Sequence, residues 1–228
     1  MPSIYYRRNF RPGNFYHIFN RGANKLNIFK DVIDYSTFTD ILQYYINYPS
    51  GKALSILQRH AKKSKTKLLK VRNLESSFEI HSYCLMPNHF HFLIYQKNKP
   101  TQNNSITNYM RRVMITYSMF AKHKYKRSGT LFQGRYKNVI VDSTEQLLHL
   151  SKYIHRNPLP LLKSQPLSTY PYSSYQDYLG NLDRPWLKTS TILNHFPKTP
   201  IQQYKQFVEQ TEDSPALLEK ISLDQPYS

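Results

Sequence analysis

The sequence predicts an α+β fold: a ferredoxin-like antiparallel sheet with helices mainly on one face, plus a C-terminal helical extension. Segments with strand-like patterns alternate with longer segments whose apolar residues recur every three or four positions. Two apolar runs, 78–86 and 89–95, are separated only by Pro87 and Asn88. So short a connection requires an antiparallel hairpin.

The predicted elements follow in the order strand, helix, hairpin, helix, strand, which is typical of a ferredoxin-like sandwich. The first strand covers 14–20, and Asp31 is the expected N-cap of the helix that follows it. The second long helix covers 105–124, and a short strand covers 138–141. Beyond this core, Ser143 is expected to cap a helix over 144–154, and a short helix is expected near 173–179.

A chain of 228 residues accommodates one main domain. We assign residues 1–142 to the core, 143–179 to a C-terminal extension of the same domain, and 180–228 to a partly ordered tail. The core is interrupted at about 51–77 by a basic insertion, which has eight Lys or Arg and no acid from Lys52 to Arg72 inclusive. This insertion is either a solvated loop or an accessory arm that contacts DNA.

The net charge selects the class of partner. Lys and Arg number 32 against 14 Asp and Glu, which gives a formal charge of +18. Such an excess attracts phosphate backbones, although a merely basic protein shares the same composition. The single cysteine, Cys84, excludes a disulfide framework and a multi-thiolate zinc site, and indicates a reducing compartment. With no long apolar segment, the expected location is cytoplasmic.

The sharpest local motif is His89-Phe90-His91 on the second strand of the hairpin. Residues two apart on a strand point to the same face, so the two imidazoles can bind one ion while Phe90 points to the other face. A bare His-x-His triplet is more often structural than a ligand pair. No acid stands beside the pair, which disfavours zinc hydrolases that place a Glu against the metal.

Besides this motif, the sequence contains four further distinctive blocks. In chain order the five blocks are 16–22 (YHIFNRG), 81–91 (HSYCLMPNHFH), 117–129 (which begins at Tyr117 and ends in KRSG), 131–137 (LFQGRYK) and 153–158 (YIHRNP). These blocks resemble the REP-associated tyrosine transposases, a branch of the single-tyrosine HUH transposases, in the order of that family. The similarity runs from about Asn14 to Leu179, interrupted by the basic insertion.

The resemblance implies that His89 and His91 bind a divalent cation, Mg²⁺ or Mn²⁺, and that Tyr117 is the nucleophile. It implies that the enzyme nicks single-stranded DNA, keeps the strand as a 5′-phosphotyrosine and joins it to a second 3′-hydroxyl without ATP. Tyr117 lies on the apolar stripe of the second long helix, so we expect it to meet the histidines around one phosphate. Tyr109 and Tyr125 are the competing nucleophiles.

The third protein ligand of the cation stays open. Relatives commonly place a polar residue about one turn after the tyrosine, whereas this chain has Phe120-Ala121-Lys122 there. Glu79, His81, Gln133 or a water molecule are the alternatives.

The expected partner is single-stranded DNA, with a hairpin implied by the resemblance, and the expected state is a monomer or a homodimer. Two other functions stay open: a replication-initiator or relaxase-like nickase, and a decayed module that binds nucleic acid without cleaving it. The predicted phosphate contacts are the basic residues within or beside the similar blocks: Arg21, Arg111, Arg112, Lys126, Arg127, Arg135, Lys137 and Arg156.

Overall fold

The computed structural model describes residues 10–46, 77–98 and 105–210. Almost all of the basic insertion and residues 211–228 of the tail lie outside these ranges. The strands are β1 (Asn14–Arg21), β2 (Phe78–Met86), β3 (His89–Gln96) and β4 (Lys137–Val141). The helices are α1 (Val32–Tyr45), α2 (Ser105–Tyr125), α3 (Thr144–Arg156), α4 (Tyr175–Tyr178), α5 (Ser190–Leu193) and α6 (Pro200–Glu209).

The four strands form one sheet in the order β2-β3-β1-β4, and every neighbouring pair is antiparallel. This is the strand order of a ferredoxin-like sheet, and the predicted α+β class is confirmed. Each of the two crossovers, β1 to β2 and β3 to β4, passes over one intervening strand. Because such crossovers are right-handed, α1 and α2 belong on the same face of the sheet, and they pack against each other there.

The sheet separates two hydrophobic clusters. Phe90, Phe92 and Ile94 of β3 belong to the cluster beneath α1 and α2. Leu93, on the opposite side of the same strand, belongs to a second cluster built with α3 and the later helices. Strand side chains alternate between faces, so each residue of β3 contacts only one of these helical layers.

The C-terminal region covers the second face and pairs with the edge strand β2. The backbone N–H groups of Leu85 and Lys188 donate to the carbonyls of Tyr172 and Ile80 across this edge. An exposed strand edge offers unpaired backbone groups to other chains, and this segment satisfies part of that edge. The tail also contains α6, whose Tyr204 and Val208 are fully buried.

Side-chain caps begin two of the helices where the sequence predicts them. Asp31 accepts a hydrogen bond from the backbone N–H of Asp34 at the start of α1. Ser143 accepts from the N–H of Gln146 at the start of α3. Each cap satisfies a backbone donor that has no partner within its helix. In the described part of the chain, no helix has the length and apolar character that crossing a bilayer demands.

A buried histidine joins α3 to the C-terminal region. Nδ1 of His155 lies 2.7 Å from the Tyr204 hydroxyl, and its Nε2 lies 2.7 Å from Oγ of Ser174. The same Ser174 oxygen accepts from the backbone N–H of Tyr83 on β2. Burial lowers the pKa of His155 to about 3, because a charged ring there would lose its hydration.

This buried imidazole predicts a loss of stability in acid. The unfolded ring, with a pKa of about 6.5, binds a proton well before the folded ring does, so stability falls as the pH drops from about 7 towards 3. Between pH 7 and pH 5, His155 should account for a loss of about 2 kcal/mol. Urea unfolding at both pH values measures this loss.

The test compares two substitutions. His155→Gln should reduce the pH-dependent loss, whereas His123→Gln, which removes an exposed imidazole on α2, should leave it unchanged. An equal pH dependence in the wild-type protein and in His155→Gln would contradict the assignment.

Candidate metal and nucleophile site

Two rows of paired residues, with the row of Phe90 between them, run across the sheet at the start of β3. One row joins Arg21 of β1, His89 and Met86. The other row joins Lys137, Phe19, His91 and Cys84 across all four strands. Residues that pair directly across strands point to the same face. Both histidines therefore lie on the face that α3 covers. Their cross-strand partners Met86 and Cys84 belong to the second cluster, which lies on that face.

His91 is completely buried and is held by a third histidine, His17 of β1. Nε2 of His17 lies 2.8 Å from Nδ1 of His91, and the two rings are stacked with centroids 5.1 Å apart. Burial, together with the neighbouring imidazoles His89 and His17, holds the pKa of His91 well below its usual range. Among the residues that the structure describes, Nε2 of His91 has no hydrogen-bond partner.

His89 sits at the mouth of the site, half-buried, with its ring centroid 5.0 Å from that of His91. Its Nδ1 lies 2.6 Å from Oδ1 of Asn88, and its Nε2 lies 2.8 Å from Oδ1 of Asn157. Asn157 is the C-cap of α3. The two ring nitrogens of His89 therefore face two different amide oxygens. One belongs to Asn88, and the other belongs to Asn157 at the end of α3.

The tyrosine that contacts the histidines is Tyr153 on α3. Its ring packs edge-on against His91, with centroids 5.4 Å apart, and against His17, with centroids 6.1 Å apart. Its side chain is half-buried. Tyr153 and Asn157 are separated by four positions, so they lie on the same side of the helix, towards the histidines.

Tyr117, the expected nucleophile, lies on the other face of the sheet. Its ring is buried among Phe29, Phe38 and Phe132, in the cluster beneath α1 and α2. Its hydroxyl donates to the backbone carbonyl of Ile28 at 2.6 Å. Burial raises the pKa of this phenol far above its usual value. The prediction that Tyr117 meets the two imidazoles is therefore wrong, because the sheet stands between them.

The two competing tyrosines of α2 lie on that same distant face. The hydroxyl of Tyr109 donates to the carbonyl of Leu42. The hydroxyl of Tyr125 donates to Asp34 at 2.6 Å. Burial, and the bond to the Asp34 carboxylate, raise the pKa of Tyr125 to about 12.

Of the residues considered as a third ligand, His81 and Glu79 are not brought to the histidine pair. His81 lies towards the other end of the sheet, where its Nδ1 is 2.8 Å from the carbonyl oxygen of Lys188 and Glu79 is its neighbour. Gln133 accepts a hydrogen bond from the Arg21 side chain at the rim. Within the described residues, no cluster of three or more His, Cys, Asp or Glu side chains is arranged to hold a metal ion. Asn157, which was not among the predicted ligands, is the polar side chain that the structure places beside His89.

Two of the predicted phosphate contacts flank the histidines. Arg21 pairs with His89, and Lys137 belongs to the row of His91. Arg156 lies on α3 and donates to the carbonyls of Val208 and Gln210.

The remaining predicted contacts lie away from the pair or at the rim. Arg111 is exposed on α2, and Arg112 lies over the ring of Tyr45. Arg135 is exposed just before β4. Lys126 and Arg127 line a cavity of about 430 Å³ together with Lys30.

The basic cavity lies next to the turn that begins β3. Leu26, Asn27 and Ile28 line it, and they belong to the loop that leaves β1. This loop is fixed to the hairpin turn, because the N–H groups of Ile28 and Phe29 both donate to the carbonyl of Pro87. The cavity and His89 therefore flank the same turn.

The chain matches a family model of transposases, so it is a DNA-processing enzyme by class. It belongs to the IS200-like transposase family, whose model matches residues 43–157, just over half of the chain. A solved structure of a REP-associated tyrosine transposase bound to a REP hairpin is similar at 15% identity over 82% of this chain and 97% of that one, with a TM-score of 0.46. No curated protein matches the chain.

The sequence contains a feature that favours Tyr153 over Tyr117 and that the prediction missed. The resemblance calls for a polar residue about one turn after the nucleophile. Tyr117 lacks it, since Ala121 stands four positions later, whereas Tyr153 is followed at that distance by Asn157. The family resemblance itself is confirmed.

Proposed function

We propose that this transposase nicks single-stranded DNA and transfers the strand through a 5′-phosphotyrosine on Tyr153, with a divalent cation held by His89, His91 and Asn157. One observation carries the proposal: two imidazoles, a phenol and an amide oxygen meet on one face of the sheet, between β3 and α3. Tyr153 replaces Tyr117 as the nucleophile, because it is the tyrosine of α3 that contacts the histidines.

The donor set suits a divalent cation such as Mg²⁺ or Mn²⁺. A neutral imidazole has one N–H, and in the tautomer proposed for His89 the Asn88 oxygen accepts it at Nδ1. The lone pair of Nε2 then faces the lone pairs of the Asn157 amide oxygen, a contact that a cation makes favourable. Nε2 of the buried His91 has no hydrogen-bond partner among the described residues, and in the tautomer without a proton there it adds a third lone pair. When bound, the cation would withdraw charge from a phosphate oxygen and orient the scissile bond.

The phenol supplies the covalent step. The oxygen of Tyr153 attacks phosphorus, its proton leaves, and the bond from phosphorus to the 3′-oxygen breaks as that oxygen takes a proton. One phosphodiester is exchanged for another, so a second 3′-hydroxyl can reverse the step and join strands. Only about one phenol in a thousand is ionised at pH 7, so the positive charge around the site assists the attack.

The basic residues around the hairpin turn suggest a path for the strand. Arg21 and Lys137 flank the histidines, and Lys126 and Arg127 line the cavity on the other side of the turn. We infer that the strand follows this rim, with its backbone held by positive charge. A hairpin next to the single strand is the substrate that the motif resemblance favours.

Trapping of the covalent intermediate tests the nucleophile. The protein is incubated with hairpin oligonucleotides that carry single-stranded flanks, in Mn²⁺, and the protein-DNA adduct is resolved on a denaturing gel. Tyr153→Phe should abolish the adduct because it removes the attacking oxygen and little else. His89→Ala and His91→Ala should lower its yield by at least about a hundredfold, as expected when metal ligands are lost.

The matched control is Tyr117→Phe, which removes the same atom on the other face of the sheet. It should keep the adduct and lower the free energy of unfolding by about 1 kcal/mol, because the Ile28 carbonyl loses its donor. An adduct that survives Tyr153→Phe but is lost in Tyr117→Phe would refute the assignment. Tight binding with no adduct in the wild-type protein would instead support the decayed binding module.

A pair of lysines on the same stretch of chain tests the path. Lys126 lines the cavity, whereas Lys122 is exposed and lies outside it. Lys126→Ala should weaken binding of a single-stranded oligonucleotide and lower its salt dependence by about one counterion. Fluorescence anisotropy over a range of salt concentrations measures both quantities.

Lys122→Ala removes the same charge and should have a clearly smaller effect. Equal effects of the two substitutions would show that only overall charge matters and would contradict the path through the cavity.

A further inference from the structure

We infer that His17 is a positioning residue for the cation: it accepts a hydrogen bond from Nδ1–H of His91 and so presents the bare Nε2 of His91 to the metal. The inference rests on the proposed function and deepens it. His17 is not one of the predicted ligands, and it lies on a different strand from the His89-Phe90-His91 motif.

The contact between the two rings is the first step. Nε2 of His17 lies 2.8 Å from Nδ1 of His91, and neither side chain has any exposed surface. No water competes for such a contact, so one ring donates and the other accepts. His91 therefore has one nitrogen committed to His17 and one nitrogen, Nε2, left for another partner.

The position of the proton is the second step. An imidazole binds a metal through a nitrogen that carries no proton. If Nε2 of His91 is the ligand, the neutral ring carries its proton on Nδ1, and His17 must accept it through its own Nε2. The proton of His17 then lies on Nδ1, which is buried without a hydrogen-bond partner among the described residues.

The surroundings of His17 are the third step, because they allow the ring little freedom. It packs against Phe19 with centroids 4.6 Å apart and against Tyr153 with centroids 6.1 Å apart. Its row in the sheet places Leu93 and Val139 on either side. A ring held by strands and aromatic neighbours orients its partner, as carboxylates and carbonyls do behind other metal-bound histidines.

The experiment measures binding of the metal alone to the full-length protein. Free Mn²⁺ is followed by electron paramagnetic resonance in the wild-type protein, in His17→Gln and in His17→Leu. The Gln side chain keeps an acceptor near the position of the imidazole Nε2, whereas Leu fills similar space without one. His17→Leu should bind Mn²⁺ about 10-fold to 100-fold more weakly, and His17→Gln should retain most of the affinity.

A second measurement does not depend on either variant folding. In the Mg²⁺-loaded wild-type protein, two-bond ¹H–¹⁵N spectra should show His91 with its proton on Nδ1. A proton on Nε2 of His91 overturns the inference.

The remaining outcomes separate this inference from the proposed function. Wild-type affinity in a folded His17→Leu protein, or an equal loss in Leu and Gln, overturns the role of His17 alone. Absence of Mn²⁺ binding by the wild-type protein overturns both this inference and the metal dependence proposed for the enzyme.

Discussion

The alternation of side chains along β3 is the constraint on which the site depends. It sends Phe90 and Phe92 beneath α1 and α2, and it sends His89 and His91 to the opposite face. The sheet is one continuous layer, so a residue on one side cannot reach a phosphate bound on the other. In the proposed mechanism the nucleophile therefore comes from the element that covers the histidines, which is α3.

The local structure of the chain was predictable to a large extent. The strands, the hairpin at Pro87 and the caps at Asp31 and Ser143 follow from short-range rules of pattern and hydrogen bonding, and the structure has each of them. The face of the sheet on which Tyr117 packs does not follow from such short-range rules. Helical periodicity shows that this ring points into the core, but the domain has two cores, one on each side of the sheet.

The prediction that Tyr117 meets the histidines was in conflict with the predicted ferredoxin-like fold, and the fold was sufficient to decide between them. Right-handed crossovers put both helices of a ferredoxin-like sheet on one face, and the apolar side of β3 has to lie beneath them. That reasoning already turns the histidines away from α2 and Tyr117. The positions of His17 and Asn157 in the site were harder to predict from the sequence, because both depend on contacts between distant segments. These contacts are the register of β1 with β3 and the docking of α3 over the second face.

In the proposed mechanism, the C-terminal extension is therefore part of the catalytic unit. It supplies Tyr153 and Asn157 to the candidate site. His155 between them ties α3 to Tyr204 of α6 and, through Ser174, to Tyr83 of β2. Mass spectrometry of the nuclease-trimmed protein-DNA adduct tests this account most directly, because it identifies the residue that carries the nucleotide. We expect the nucleotide on the tryptic peptide that contains Tyr153; a nucleotide on the peptide that contains Tyr117 would contradict the division of the site by the sheet.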